Sequence, residues 1–199
     1  MSVRRELIYI KRASIYKIFT RMPTLETERL KLRRMTASDA HDMYEYAKNP
    51  EVTRYLTWYP HPDEEYTRDY LEYIGTRYRT GDFYDWAITL KENGKMIGTC
   101  GFTRFDFTDD SAEMGYVLNP AYRGKGIAPE ALYAALKFGF DNLALHRAEA
   151  KFIEGNDASR RVMEKVGMTF EGILRGSMLI KGEYKNIGIC AVLREEFYK

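Results

Sequence analysis

The sequence contains few of the residues that define metal-binding, disulfide-rich or membrane-spanning proteins. It has two cysteines, Cys100 and Cys190, and three histidines, and none of these residues are paired at the spacing of a zinc site. Each cysteine lies in an apolar strand-like run, which favours buried, reduced thiols. No apolar run is long enough to cross a bilayer, and the first residues lack the apolar core of a secretory signal. We therefore expect a cytoplasmic protein without a metal and without a membrane partner.

The chain also lacks an excess of charge. Its 31 basic residues nearly balance its 29 acidic ones, whereas a nucleic-acid binder would carry a clustered basic excess. The exception is the first 22 residues, in which six basic side chains accompany one acid, Glu6. We interpret residues 1–22 as a basic extension, either disordered or packed on a partner. One domain is predicted over residues 23–199, because 45% hydrophobic content provides a sizeable core.

Hydrophobic periodicity predicts a mixed α/β layer fold without repeats or linkers. Strand patterns occupy residues 30–33, 84–90, 95–105, 111–118 and 147–154, followed by two strands within residues 168–198. Helical spacing predicts helices at residues 36–47, 63–78, 127–142 and 156–166. Between the second and third strands, Asn93-Gly94 is a strong hairpin signal.

The most informative segment is the glycine-rich turn at residues 123–128, between a predicted strand and a predicted helix. Gly124 and Gly126 allow positive φ and close approach of a ligand to the main chain. The N–H groups that open a helix attract phosphate, and Arg123 adds a fixed cation. The spacing is neither that of a Walker loop nor that of a dinucleotide fingerprint. The turn predicts a phosphate site, and an ordinary strand–helix turn is the alternative.

A second polar cluster, residues 156–161, follows the next predicted strand. Because α/β sheets bind ligands at the carboxyl ends of their strands, we expect both clusters at one edge. Asn156 and Asp157 are also ordinary helix-capping residues, so a purely structural role is the alternative here.

Three segments together resemble the GNAT-type N-acetyltransferases: residues 112–120, 123–128 and 156–168. Residues 25–33 and the Gly-Glu-Tyr of residues 182–184 resemble the branch that includes ribosomal-protein N-terminal (alanine) acetyltransferases, a branch that also contains antibiotic and small-amine acetylators. The resemblance covers residues 25–198. It implies a mixed, mostly antiparallel sheet of about seven strands flanked by about four helices, with the two central strands splayed apart.

The resemblance also implies a reaction, in which acetyl passes from acetyl-CoA to a primary amine by direct attack in a ternary complex. The amine belongs to a protein or peptide N-terminus or to a small molecule. The main chain of the glycine-rich turn would hold the pyrophosphate, and the preceding strand, which carries a bulge in this family, would bind the pantetheine arm. An N–H near Val117 would polarise the thioester. The residues implied as acetyl-CoA contacts are Tyr116, Val117, Leu118, Arg123, Gly124, Lys125, Gly126, Ile127, Ala128 and Asn156.

Two residues are implied in proton transfer. Glu113 is the expected base, directly or through a water, and a solvated strand carboxylate is the alternative. Many family members carry a Tyr, as the acid for the leaving thiolate, where this chain has Met163. Ser159 matches a serine used in the ribosomal-protein branch. We therefore expect Ser159 to protonate the thiolate, with a bond to the helix backbone as the alternative. The second acid of that branch falls on Met178.

The acceptor is the least defined part of the prediction. Its expected contacts are Trp58, Tyr84, Trp86 and Arg104, although aromatic residues at such positions are often core residues. A non-catalytic CoA-binding sensor on the same fold is the main alternative function. A nucleic-acid or ribosome-bound module is suggested only by the basic N-terminal segment, and a homodimer stays open.

Overall fold

The computed structural model describes residues 3–199 and builds them around one eight-stranded sheet. The strands are β1 (Leu25–Glu26), β2 (Leu30–Arg33), β3 (Tyr84–Leu90), β4 (Met96–Asp106), β5 (Ser111–Leu118), β6 (Arg147–Ile153), β7 (Thr169–Ile180) and β8 (Glu183–Leu193). The helices are α1 (Val3–Arg21), α2 (Ala40–Ala47), α3 (Pro50–Thr53), α4 (Glu64–Thr80), α5 (Ile127–Asn142), α6 (Asp157–Lys165) and α7 (Arg194–Phe197). Short 3₁₀ turns cover Ala37–Asp39 and Pro120–Tyr122.

The sheet has the strand order β1-β2-β3-β4-β5-β6-β8-β7. Every neighbouring pair is antiparallel except β5 and β6, which are parallel. The predicted mixed, mostly antiparallel fold is confirmed, with one strand more than expected. The strand that the sequence pattern misses is β1, which has only two residues, and the missed helices α3 and α7 have four residues each. Elements this short carry no readable period.

The two central strands separate part of the way along their length. β5 and β6 pair from Ser111–Arg147 to Met114–Ala150, and the pairing then stops although both strands continue. We call the space between residues 115–118 and 151–153 the β5–β6 gap. The splay predicted from the resemblance is thus present. The bulge is on a different strand from the one expected, because the register shift inserts Thr103 of β4 opposite β5.

Helix α1 corrects the expectation of a disordered basic extension. Residues 5–14 are exposed apart from Ile8, but Ile15 and Phe19 of the helix and Met22 just after it are buried. The Phe19 ring lies 4.9 Å from the ring of Tyr84 and 5.6 Å from that of Trp86, measured between centroids. The helical spacing of Ile15 and Phe19 is hidden by the unpatterned first half of the segment. The division of the chain at residue 22 into an extension and a domain stays a prediction.

Among the described residues, no helix combines the length and the apolar character that a membrane crossing requires.

Replacing Phe19 with Ala should destabilise the protein by about 3–5 kcal/mol, since it removes a fully buried aromatic ring from the core. Chemical denaturation measures this change. Tyr9→Ala is the matched control on the same helix, because Tyr9 is 72% exposed. Equal unfolding free energies for the two variants would show that α1 does not contribute to the core.

Candidate active site

Two cavities open on either side of the end of β5. The first, which we call the outer cleft, has a volume of about 450 Å³ and is lined by the glycine-rich turn, the start of α5 and the first turns of α6. The second, the inner cavity, has a volume of about 410 Å³ and is lined by α2, α4 and the central strands. Six residues line both: Tyr55, Leu56, Tyr116, Val117, Asn156 and Ser159. The two cavities therefore meet at the β5–β6 gap.

The glycine-rich turn has the backbone geometry of an anion site. Gly124 and Gly126 have φ of 76° and 75°, and Gly126 caps α5 without any side-chain cap. Because Ile127 and Ala128 open the helix, their N–H groups have no partner within it. The main-chain N–H of Arg123 was predicted to contact the pyrophosphate, but it donates to Pro120 O at 3.1 Å. The main-chain donors of this turn are consequently those after Arg123.

Side chains from another part of the chain fix this turn from behind. Arg29 forms a 2.6 Å ion pair with Glu130 and donates to Lys125 O at 2.9 Å. The Thr27 hydroxyl donates to the other oxygen of Glu130 at 2.5 Å. Burial opposes ionisation of Glu130, but the hydrogen bonds from Thr27 and Arg29 lower its pKa below the usual value. No local sequence pattern connects residues 27–29 with Glu130, because they lie about one hundred positions apart.

The end of β5 presents peptide groups to the β5–β6 gap. Asn119 N–H donates to Ile97 O of the neighbouring chain segment. In an antiparallel ladder the peptide groups alternate in direction, so Val117 also points toward β4. The N–H groups of Tyr116 and Leu118 then point to the side where β6 no longer pairs. The N–H expected near Val117 is therefore that of Tyr116 or Leu118.

Tyr116 and Ser159 join β5 to α6 by paired hydroxyl contacts. Tyr116 Oη lies 2.8 Å from Ser159 Oγ and 2.8 Å from Ser159 O. Burial raises the pKa of Tyr116 well above its usual value, so the phenol stays protonated. When Tyr116 donates to the Ser159 carbonyl, the Ser159 hydroxyl can donate to Tyr116 Oη. Ser159 thus belongs to a two-hydroxyl chain.

The predicted contacts at the start of α6 have structural roles as well. Asn156 accepts a 3.3 Å hydrogen bond from Ser159 N–H and so caps the helix. Its side chain also borders both cavities. Capping and ligand binding are compatible here, because the cap uses the amide oxygen only.

Glu113 borders the inner cavity but already has a cationic partner. Its Oε2 lies 2.5 Å from Lys151 Nζ, and Lys151 is also 3.5 Å from Glu149. This ion pair fixes the position of the Glu113 carboxylate. Met178 lines the same cavity, so the position of the branch's second acid is occupied by an apolar side chain.

The predicted acceptor contacts are only partly placed at the cavity. Trp58 lines the inner cavity. Tyr84 and Trp86 need correction, because their rings pack against Phe19 of α1, and the Trp86 indole N–H donates to Pro23 O at 2.6 Å. Arg104 is exposed and lies outside both cavities, although it is opposite Glu113 in the sheet.

Sequence reasoning missed one side chain of the inner cavity, which lies between Tyr84 and Trp86 in β3. Asp85 borders the inner cavity, and its Oδ1 is buried without a hydrogen-bond partner. Burial raises the pKa of Asp85 to about 7. Hydrogen bonding by the Thr99 hydroxyl and by the main-chain N–H of Trp86 opposes part of this shift. In the described part of the chain, no Lys, Arg or His lies within ion-pair distance of Asp85. The two-residue alternation of β3 could have indicated Asp85, because it places residue 85 on the other face of the sheet from residues 84 and 86.

Comparison with known proteins identifies the class. Residues 29–169 match the family described as the acetyltransferase (GNAT) domain. The uncharacterized N-acetyltransferase p20 of Bacillus licheniformis is 36% identical over 176 residues, which are 88% of this chain and 99% of that protein. The chain therefore belongs to the GNAT acetyltransferase family. It is an acyltransferase that depends on acetyl-CoA.

Two further relatives cover most of the chain. A GNAT-family acetyltransferase of Bacillus anthracis has a crystal structure that matches with a TM-score of 0.78 and 30% identity, over 87% of this chain and 100% of that one. The spermidine N(1)-acetyltransferase of Escherichia coli K12 is 25% identical over 170 residues, 81% of this chain and 84% of that protein. Within residues 3–199, no group of three or more His, Cys, Asp or Glu side chains is arranged to hold a metal ion.

The raised pKa of Asp85 makes a prediction about stability. A carboxyl group whose pKa is higher in the folded than in the unfolded state favours folding at low pH, and this contribution is lost as pH rises from about 4 to about 7. The loss should be about 1–3 kcal/mol, less than the full shift because the group borders a cavity that admits water. In Asp85→Asn this part of the pH dependence should be absent.

Urea unfolding of both proteins between pH 5 and pH 8 measures the effect. We expect Asp85→Asn to gain stability relative to the wild type as the pH rises. Parallel stability curves for the two proteins would show that Asp85 ionises as freely as an exposed carboxylate.

Proposed function

We propose that this enzyme transfers acetyl from acetyl-CoA to a primary amine by direct attack in a ternary complex. The observation that carries the proposal is the junction of the two cavities at the β5–β6 gap. Acetyl-CoA would occupy the outer cleft, with its pyrophosphate on the N–H groups of residues 124–128. The amine would enter from the inner cavity and meet the thioester at the junction.

The unpaired backbone of β5 supports this position of the donor. Pantetheine carries amide groups, which can hydrogen-bond to the end of β5 as an added strand would. The Tyr116 or Leu118 N–H would then stabilise the oxyanion of the tetrahedral intermediate. Asn156 would bind the same arm, and its position at the border of both cavities supports this role.

Different residues would serve the two proton transfers that accompany formation of the new bond. The neutral amine nitrogen attacks the acetyl carbon, the new C–N bond forms, and the C–S bond breaks to release CoA thiolate. Glu113 would accept the proton lost by the amine, directly or through a water, while Lys151 fixes the carboxylate. The Ser159–Tyr116 pair would supply a proton to the thiolate.

The amine itself is assigned only as a class. A relative named for spermidine and a resemblance to ribosomal-protein acetyltransferases support small amines and protein N-termini, respectively. The apolar Met178 at the position of the second acid of the ribosomal-protein branch favours a small amine. The homodimer and the cytoplasmic location expected from the sequence stay predictions.

Release of free thiol from acetyl-CoA, measured across peptides, polyamines and aminoglycosides, tests the proposal. We expect turnover with at least one primary amine. Gly126→Val should raise the KM for acetyl-CoA about 10-fold, because a side chain would crowd Arg29, strain a residue with φ of 75° and displace the N–H groups that would hold phosphate.

Gly94→Val is the matched control, since Gly94 has φ of 74° in a hairpin turn and does not line the outer cleft. It should share the strain but leave the KM unchanged. Tight CoA binding without turnover on any amine would instead support the CoA-binding sensor. An unaltered KM in Gly126→Val would count against the phosphate site.

Glu113→Gln should lower kcat by about 10²-fold and remove the alkaline rise of the rate, because the amide cannot accept the amine proton. Glu149→Gln is the control, since Glu149 also lies near Lys151 but does not border the inner cavity. A pH–rate profile for each variant is the measurement. If Glu113→Gln keeps the wild-type profile, another group or a water is the base.

A further inference from the structure

Two polar atoms of the inner cavity lack the partners that buried polar groups normally have. Asp85 Oδ1 and Tyr46 Oη are the buried side-chain atoms without a hydrogen-bond partner among residues 3–199, and both residues line this cavity. One is a carboxylate oxygen and the other a hydroxyl. Together they can accept hydrogen bonds from one ligand group that carries several N–H donors.

The walls around these atoms suit a cation. Tyr70, Tyr66 and Trp58 line the same cavity, and aromatic faces attract ammonium groups. Desolvation by the surrounding protein raises the pKa of Tyr46 and of Tyr70, so both phenols stay neutral. The anion of this cluster is therefore Asp85 alone.

A row of residues across the sheet joins Asp85 to the β5–β6 gap. Asp85 pairs with Gly101 of β4, and Gly101 pairs with Gly115 of β5. A Cβ atom at Gly101 would lie 2.9 Å from Asp85 Oδ1 and 2.5 Å from Asp85 Cα. Any larger residue at Gly101 would displace the carboxylate. Between Asp85 and the β5–β6 gap this row carries no side chain, because both intervening residues are glycines.

The length of this row separates Asp85 from the reacting atoms. Two inter-strand spacings amount to about 10 Å, which is too far for Asp85 to accept a proton from the attacking amine. A ligand that reaches both places needs one nitrogen at the gap and a second cationic nitrogen at Asp85.

We propose that Asp85 and Tyr46 form a subsite for a second ammonium group of the acceptor, so that the enzyme selects aliphatic diamines over monoamines. This inference rests on the proposed acetyl transfer to amines. The ammonium donates to the Asp85 carboxylate and to Tyr46 Oη, and the aliphatic chain lies over Gly101 and Gly115. The free amine at the other end then meets the thioester.

The test compares acetylation of hexane-1,6-diamine and hexylamine at pH 8, where Asp85 is ionised. We expect kcat/KM for the diamine to exceed that for hexylamine at least 10-fold in the wild type. Asp85→Asn should remove this preference while changing kcat/KM for hexylamine and the KM for acetyl-CoA less than 3-fold. Tyr46→Phe should reduce the preference by a smaller factor.

Asp109→Asn is the control for loss of one negative charge, because Asp109 is exposed and outside the cavity. It should keep the full preference. Equal rates for the diamine and the monoamine in the wild type, or an equal loss for both substrates in Asp85→Asn, would overturn the subsite.

Calorimetric titration with hexane-1,6-diamine separates this inference from the proposed function. If the wild type acetylates neither amine but binds the diamine, and Asp85→Asn does not, the subsite stands and the proposed reaction fails. If amines are acetylated but neither rate nor binding depends on Asp85, the reaction stands and the subsite fails.

Discussion

The separation of β5 from β6 is the constraint on which the rest of the site depends. β5 is held along its length by β4, and β6 is held along its length by β8. Each strand follows its own antiparallel partner, so the parallel pair between them closes only at one end. The result is a gap in the middle of a continuous sheet, with peptide groups that need a hydrogen-bonding partner. A donor molecule that contains amide groups meets that need.

The gap also connects the two faces of the sheet. On one face, α1 and α5 pack over the aromatic cluster of Phe19, Trp86 and Phe138. On the other face, α2 and α4 cover the inner cavity. A closed sheet would keep these two faces apart. The opening allows a ligand of the outer cleft and a ligand of the inner cavity to meet without either leaving its own side.

Much of this architecture is readable from the sequence, and the exceptions have physical reasons. β5 and α5 have the predicted ends, since each carries a long, regular apolar pattern. Helix α1 was missed because only its second half is apolar on one side. The bonds of Arg29 with Glu130 and of Tyr116 with Ser159 join distant segments, and no local pattern encodes them. In β3 the alternation is readable, but aromatic residues are common both in cores and in ligand sites, so the pattern alone does not single out Asp85 between Tyr84 and Trp86.

Asp85 and Tyr46 reduce the stability of the fold at the inner cavity. A buried carboxylate oxygen and a buried hydroxyl without partners destabilise the protein relative to a satisfied or apolar pair. The glycine at position 101 keeps room for the carboxylate instead of filling the cavity. Such exceptions to good packing are concentrated at functional sites, and here both residues line the inner cavity.

The central claim is that donor and acceptor meet where β5 leaves β6. A crystal structure with a non-hydrolysable acetyl-CoA analogue tests it most directly. The account predicts the pyrophosphate at residues 124–128 and the acyl carbonyl in the β5–β6 gap, within about 3 Å of the Tyr116 or Leu118 nitrogen. An analogue bound with its acyl group outside the gap, and with the β5 peptide groups untouched, would contradict it.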